Sequence, residues 1–494
     1  MSFPRIELVI TRFKEDLSWI KELPDMFSKI IIYNKGTPTE FNLPKSEVHI
    51  LPNLGMDTYV NLYHVITNYN SLADVTVFVT GSTYSSVHKS YILFKTLYNL
   101  RRKLGSVLYC VHTDFDHIRE TYFFSLDAYK CTNKENIGSV INDKLDLCYN
   151  RPLGKWFINH FPTEMITAVS YKGIFAVSRS DIQKRPVEFY KKLLKDVAYP
   201  APEAAHYIER TWKNIFSIPD ECCIKYSEPS VCFITAIYGN YEASCKPYVS
   251  QTIKTDFICF TDNPTIKSNG WIIDTTPYHY LNRSNLDTGT QVNSLNNNKH
   301  TFNIAKYYKQ AFQNIPRLKD YDIIIWLDGT VEITYDKTSE YIAYRIINKK
   351  IITWHHEHRF GELSKEVLAS NMVRYTSTYW NGQNQPYQDV NKQYEDYIKN
   401  GYTDNFFKNI PSHTVHFGVW LTCFVAFLNK DDNVSKFLDL WYLQTLQYTT
   451  QDQIGFPYVC QKTGLIPYTL PNNEIKGDSP HSQTQFYIKH NHGL

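Results

Sequence analysis

Two similar stretches constrain the fold more than anything else in the chain: Asp74–Gly81 (DVTVFVTG) and Asp322–Gly329 (DIIIWLDG). In the second, Ile323, Ile324, Ile325, Trp326 and Leu327 form a short continuous apolar run, followed directly by Asp328, Gly329 and Thr330. Such a run, bounded by polar and turn residues, predicts a buried strand, central in a parallel sheet. Parallel sheets bind ligands at the carboxyl ends of their strands, so Asp328 is placed where a buried strand opens into a site. Period-two alternation would set Asp328, Thr330 and Glu332 on one side of an extended chain. The same Asp would serve equally as a cap in a strand-to-loop turn.

The two stretches sit in similar surroundings. In the first half, strand patterns at Ile6–Phe13, Lys29–Tyr33 and Val48–Leu51 precede an amphipathic segment, Asp57–Tyr69, and then Asp74–Thr80 with Gly81. Helical patterns over Arg179–Val197 and Pro202–Phe216 end that half. In the second, strands at Val231–Tyr238 and Phe257–Thr261 precede a polar insertion, Tyr278–Lys299, expected to be a mobile loop, and a helix over Thr301–Phe312. Short fragments match as well: LVIT at 8–11 against FIT at 233–235, and Thr80 against Asp328. Strands alternating with helices predict α/β architecture with mostly parallel sheets. At 494 residues the chain exceeds one ordinary core. A Pro-bracketed polar segment, Pro219–Pro229, marks a boundary, giving domains 1–222 and 223–494.

Charge and cysteine usage narrow the function classes. A net charge of +3, from 52 basic and 49 acidic side chains, gives no case for nucleic acid or an anionic membrane as partner. No apolar segment approaches the roughly 20 residues that span a bilayer, and the start MSFPRIELVITRF lacks the layout of a secretory signal. The ten cysteines are scattered without a C-x-x-C pair. These features lead to an expected reducing, cytoplasmic setting, in which the sequons at Asn282 and Asn433 would go unused.

Residues 230–470 resemble a glycosyltransferase-like family that includes plant proteins linked to mucilage polysaccharide synthesis and stands close to the glycogenin-type GT-A enzymes. The likeness is carried by FITAIYGNYE (233–242), FICFTDN (257–263), AKYYKQ (305–310), IIWLDGTVEI (324–333), WHHEHR (354–359) and TTQDQIGFPYV (449–459). The first half resembles a separate glycosyltransferase-like family of unknown function, through RFKEDLSWI (12–20), YNKG (33–36), LPNLG (51–55) and HYIERTWKNIF (206–216). That family's pattern carries a basic residue after the LPNxG glycine, where this chain has Met56.

The resemblance implies two tandem GT-A-like, Rossmann-like domains and transfer of a sugar from a UDP- or GDP-sugar donor to an acceptor hydroxyl on a glycan or glycoprotein. It also implies Mn2+ or Mg2+, since a cation bridging the leaving diphosphate would stabilise its developing charge. Asp328 is the implied ligand. Glycogenin-type enzymes use Asp-x-Asp, and here the third position is Thr330, with His492 before Gly493 as a late ligand. Gly329 would allow a diphosphate to approach closely. Lys306 and Lys309, three apart on one helix face, would neutralise phosphate or fix Asp328, or else form a solvated lysine face. Thr235, Ala236 and Tyr238 fall where the family cradles the base. Asp262 would meet ribose or base, or make an Asx turn before Asn263-Pro264.

Asp452 and Gln453 fall on the family's Asp-Gln signature near the sugar. There an Asp can hold hydroxyls, steady an oxocarbenium ion or take the acceptor proton. Alternatively, Asp452 caps a helix shortened or kinked by Pro457. The histidines of WHHEHR are expected to be exposed or to face the acceptor rather than to bind zinc. Glu209 and Arg210, adjacent on one helix, would not share a face. The first domain, with Thr80 in place of the carboxylate, is expected to be a degenerate relative. Oligomerisation is open. Two rival readings are a non-catalytic carbohydrate-binding or scaffold protein on a decayed transferase fold, and a sugar nucleotidyltransferase.

Overall fold

The apolar β-branched runs become strands, and their alternate residues feed two different cores. In the computed structural model, β1 (Ile6–Arg12) sends Leu8 and Ile10 to one face of its sheet and Val9 to the other, into separate buried clusters. Both faces are therefore covered, and this is why the run is continuous rather than alternating. The structure describes residues 4–39, 41, 43–85, 87–126, 145–239, 241–281, 301–374, 387–408, 410, 417–470 and 483–491. The chain divides into two units, Met1–Ser227 and Glu228–Leu494.

In the N-terminal unit, β1 is joined by β2 (Lys29–Asn34), β3 (Ser46–Ile50), β4 (Val75–Thr80), β5 (Val107–His112), β6 (Val169–Ser178) and β7 (Cys223–Lys225), in the order β3-β2-β1-β4-β6-β5-β7. The C-terminal unit contains β8 (Val231–Ile237), β9 (Thr255–Thr261), β10 (Ile272–Asp274), β11 (Ile323–Leu327), β13 (Ile351–His355), β14 (Trp420–Leu428) and β15 (Tyr468–Thr469). Its order is β10-β9-β8-β11-β14-β13-β15, with β12 (Val331–Ile333) and β16 (Tyr487–Lys489) forming a separate ribbon. Both seven-stranded sheets are parallel apart from one strand, β6 or β14, which runs against its neighbours on either side. The architecture is α/β with mostly parallel sheets, as the alternation predicts.

The internal repeat extends to side chains. Asp74 Oδ2 accepts the backbone N–H of Arg5 at 2.8 Å, and Asp322 Oδ2 accepts that of Ser230 at 3.1 Å. Each Asp thus ties the start of the fourth strand of its unit to the start of the first. Pairing Ile6 with Val75 and Val231 with Ile323 confirms that the two DxxxxxxG stretches correspond. It also corrects the smaller match. Thr11 pairs with Thr80, whereas Thr235, continuing the β8 register past Ile234 and Trp326, lies beside Leu327; LVIT and FIT are offset by one.

Among the described residues no helix is long and apolar enough to cross a membrane. Nine described cysteines, Cys222 and Cys223 among them, are free thiols. Most of the polar insertion, residues 282–299, lies outside the described residues, as do His492 and Gly493.

Candidate functional site

The chain leaves β8 for β9 and β10 on one side of the sheet, then returns to β11 on the other. The carboxyl ends of β8 and β11 therefore flank a topological switch point, where open α/β sheets place their ligands. Asp328 stands there, its amide bonded to the Cys423 carbonyl at 2.9 Å. Its side chain is 37% exposed, and Trp326 Nε1 donates to Oδ1 at 2.9 Å.

Two helices bring charged groups to the same point. The helix Thr301–Gln310 presents Lys306 and Lys309, and the helix Asp452–Thr463 opens with Asp452. Lys309 Nζ lies 2.5 Å from Asp452 Oδ2 and 3.6 Å from Asp328 Oδ1, and its side chain is only 1% exposed. Lys306 Nζ reaches the same Asp452 oxygen at 2.9 Å. Thr422 Oγ1 donates to Asp452 Oδ1 at 3.1 Å, and Trp441 Nε1 donates to the Asp452 carbonyl at 3.0 Å. Lys309 also lies over the Trp326 and Trp441 rings, at 5.5 and 5.8 Å. The pair is therefore not a solvated lysine face. Asp452 begins its helix, but its side chain goes to lysines and Thr422 rather than to a cap.

The electrostatics follow from this packing. Burial would raise the pKa of Asp452, but Lys306 and Lys309 outweigh it and hold the carboxyl well below its usual range. Burial is likewise outweighed at Asp328 by Lys309, Lys489 and Lys306. Lys309 is pushed up because Asp452 and Asp328 overcome its burial, whereas burial dominates at Lys306 and lowers it. Two ionised carboxylates and a buried ammonium between them form the fixed part of the site.

The remaining sequence-derived residues are placed differently. The chain turns at Asp328, whose carbonyl accepts the Val331 amide at 2.9 Å, so Asp328, Thr330 and Glu332 do not share one face of an extended strand. Thr330 is buried, and its carbonyl accepts the His490 amide. Glu332 Oε2 lies 2.7 Å from His490 Nε2. A Cβ on Gly329 would approach Ile237 Cγ1 to 3.2 Å and Glu242 Cγ to 3.5 Å, so this glycine lets the turn pack against β8. Thr235 and Ala236 are buried. Tyr238 is also buried and donates to Tyr308 Oη at 2.8 Å. Asp262 is exposed and accepts the Gly239 amide with both oxygens, at 3.1 and 3.2 Å, linking the exits of β8 and β9. It does not make the expected turn, since the Asn263 side chain is the one that accepts the Thr265 amide.

Gln453 faces inward, where its Nε2 donates to Glu366 Oε1 at 3.0 Å. Glu366 is fully buried and takes Arg359 Nε on its other oxygen at 2.7 Å. The expectation of exposed histidines fails for His355 and His356, which are buried at the end of β13; only His358 is exposed. In the N-terminal unit, Lys89 Nζ donates to Thr80 Oγ1 at 3.1 Å, at the position corresponding to Asp328. Lys35 Nζ, rather than a residue at position 56, enters the LPNLG loop, donating to the Leu54 and Met56 carbonyls at 2.6 Å. Glu209 accepts the Lys172 amide and Arg210 stacks 3.7 Å from the Phe124 ring centroid, yet Arg210 Nη1 also lies 4.0 Å from Glu209 Oε2, a loose pair that the helix spacing did not predict.

Three contributors were missed. Thr422 lies on β14, the antiparallel strand, which no pattern had singled out. Glu366 stands in a helix with no motif of its own. Lys489 is carried in by β16, which pairs it opposite Val331.

A divalent cation does not suit these residues. Thr330 is turned inward, Asp452 is saturated by lysines and Asp328 already faces Lys309. Among the described residues no group of three or more His, Cys, Asp or Glu could hold a metal.

A model of a protein family of unknown function (DUF3431) matches residues 8–233. No curated protein matches the sequence significantly. Among solved structures, the chain is similar to the apo bifunctional glycosyltransferase WbbM at 11% identity and a TM-score of 0.29, covering 95% of this chain and 87% of that one. It is similar to apo mouse xyloside xylosyltransferase 1 at 8% identity and a TM-score of 0.30, covering 49% of this chain and 85% of that one. Similarity to core-mannan synthase A of Aspergillus fumigatus in its Mn/GDP form is at 11% identity and a TM-score of 0.24, covering 47% and 69%. By its own architecture the chain is an α/β protein of two units, each built on a seven-stranded, mostly parallel sheet.

Proposed function

We propose that the C-terminal unit is a glycosyltransferase, moving a sugar from a nucleotide-diphosphate donor to an acceptor hydroxyl on a glycan or glycoprotein. One observation carries this reading. Lys306, Lys309, Asp452 and Asp328 converge at the switch point of the sheet, within 3.6 Å of one another along the chain of ion pairs. Breaking the bond between the anomeric carbon and the diphosphate builds negative charge on the leaving oxygens and positive charge on the sugar. In this scheme the Lys306 ammonium meets the first, and Asp328, the more exposed carboxylate, meets the second. Asp452 is a positioning residue in this scheme, since both its oxygens are engaged and it is 5% exposed. Gln453 supports it from behind through Glu366. The N-terminal unit, with Thr80 where Asp328 stands, takes a structural or acceptor-binding role.

A thermal-shift screen of UDP- and GDP-sugars tests the reading, because a ligand that binds only the native state must stabilise it. The expected result is stabilisation by one donor class in the wild type and a much smaller shift in Lys306→Met. An unchanged shift in that variant would count against the site.

A further inference from the structure

The charges around the Asp328 turn are arranged for an anion rather than for a second cation. Four carboxylates lie there, and each already has a basic neighbour. Asp452 holds Lys306 and Lys309, and Asp328 faces Lys309. Glu242, which packs under Gly329, pairs with Lys246 at 3.5 Å with both side chains almost wholly buried. Glu332 meets His490. Lys309 stands between Asp328 and Asp452, the position a bridging metal ion would need, and it cannot leave because two tryptophan rings and the protein interior enclose it. Magnesium or manganese would require several oxygen ligands at about 2.0–2.2 Å. Asp328 alone of the residues considered for that role is both described and partly exposed.

We infer that the C-terminal unit holds the diphosphate of its donor on lysine ammonium groups, with Lys306 and Lys489 as the contacting residues and no divalent cation between them. This rests on the reading of the site as a donor site. The ribbon of β12 and β16 pairs Lys489 opposite Val331, near enough to the Asp328 turn for its charge to help hold the Asp328 carboxyl down. Lys489 is half-buried and Lys306 is 19% exposed, so both can present Nζ to a ligand while Lys309 remains internal. Two ammonium groups near one turn suit a diphosphate with charge on both phosphates. Lys309 then serves as a positioning residue that keeps Asp452 and Asp328 ionised and in place.

Calorimetric titration of the full-length protein with UDP and with GDP, in EDTA and again with manganese, tests this. One nucleotide should bind in EDTA, with a dissociation constant that manganese changes less than about threefold. Lys489→Ala should weaken binding by about tenfold or more and Lys489→Arg should restore most of it. Lys306→Met should weaken it similarly, and raised salt should weaken it in the wild type. Binding that appears only with manganese would overturn this inference and leave the donor site standing. Binding in EDTA that ignores both lysine substitutions would overturn the lysine assignment. Absence of binding under both conditions would sink the donor site itself, and this inference with it.

Discussion

Replacing Lys309 by alanine should destabilise the C-terminal unit by about 3–5 kcal/mol, the range for breaking a buried ion pair from one side. The Lys309 side chain is 1% exposed, and that of its closer partner, Asp452, is 6% exposed. Without the lysine, Asp452 keeps Lys306, but Asp328 loses the cation 3.6 Å away and the two tryptophan rings lose the group between them. The cost arises mostly from leaving the buried Asp452 carboxylate with one cation in place of two, rather than from the pair's own net contribution. Removing both charges should therefore cost less than removing one: Lys309→Met with Asp452→Leu should recover much of the loss. Urea denaturation of the full chain measures both, fitted with separate transitions for the two units if they unfold separately. A cost below about 1 kcal/mol for Lys309→Ala would mean the cluster behaves as a solvated surface pair.

The second large effect is acid sensitivity in the N-terminal unit. His64 is fully buried. Its Nδ1 lies 3.1 Å from Tyr33 Oη and 3.3 Å from Asn68 Nδ2, with no carboxylate among these partners to favour a charged ring. Burial, with smaller contributions from Lys29 and His49, pushes it down to about 3. The unfolded chain takes up its proton near the ordinary value of 6.5. In the window between 6.5 and about 3 the unfolded state therefore binds more protons, so stability rises with pH and is lost as pH falls. The contribution is complete above pH 6.5 and declines by up to about 1.4 kcal/mol per pH unit below it, several kcal/mol across the window. His206, lowered by burial and then by Arg210 to about 4, adds to the decline over its shorter range. His64→Phe should flatten the stability profile between pH 6.5 and 4. An identical slope in that variant would mean the imidazole titrates normally.

The strands with one long apolar run were legible in the sequence, and most begin and end within two residues of the expected positions. β5, β6 and β14 were not singled out, although β14 (WLTCFVAFL) is as apolar as β11. Nothing local to a strand tells which way it runs or which neighbour it takes, so the antiparallel member of each sheet stayed hidden. At the site, the reading of Asp328, Lys306, Lys309 and Asp452 as one group came from a resemblance rather than from any spacing, and the geometry joins all four. What failed at Thr330 and Glu332 was the assumption that a strand pattern continues through Asp-Gly, where the chain turns instead. Lys489 could not be found because its place depends on a three-residue strand pairing with β12 far back in the sequence. His355 and His356 looked polar enough for a surface, but His355 ends the fully buried strand β13 and His356 follows it directly, and both are drawn inside with it.

Product analysis of a donor reaction tests the central claim most directly. The full-length protein is incubated with UDP- and GDP-sugars and candidate glycan acceptors, and the released nucleotide is identified. The expected product is a nucleoside diphosphate, released by the wild type and reduced by about a hundredfold or more in Asp328→Ala and in Lys306→Ala. Pyrophosphate release from a nucleoside triphosphate and a sugar phosphate would point to nucleotidyl transfer instead. Equal rates in the wild type and both variants, or no nucleotide released from any donor, would contradict the assignment of this site to sugar transfer.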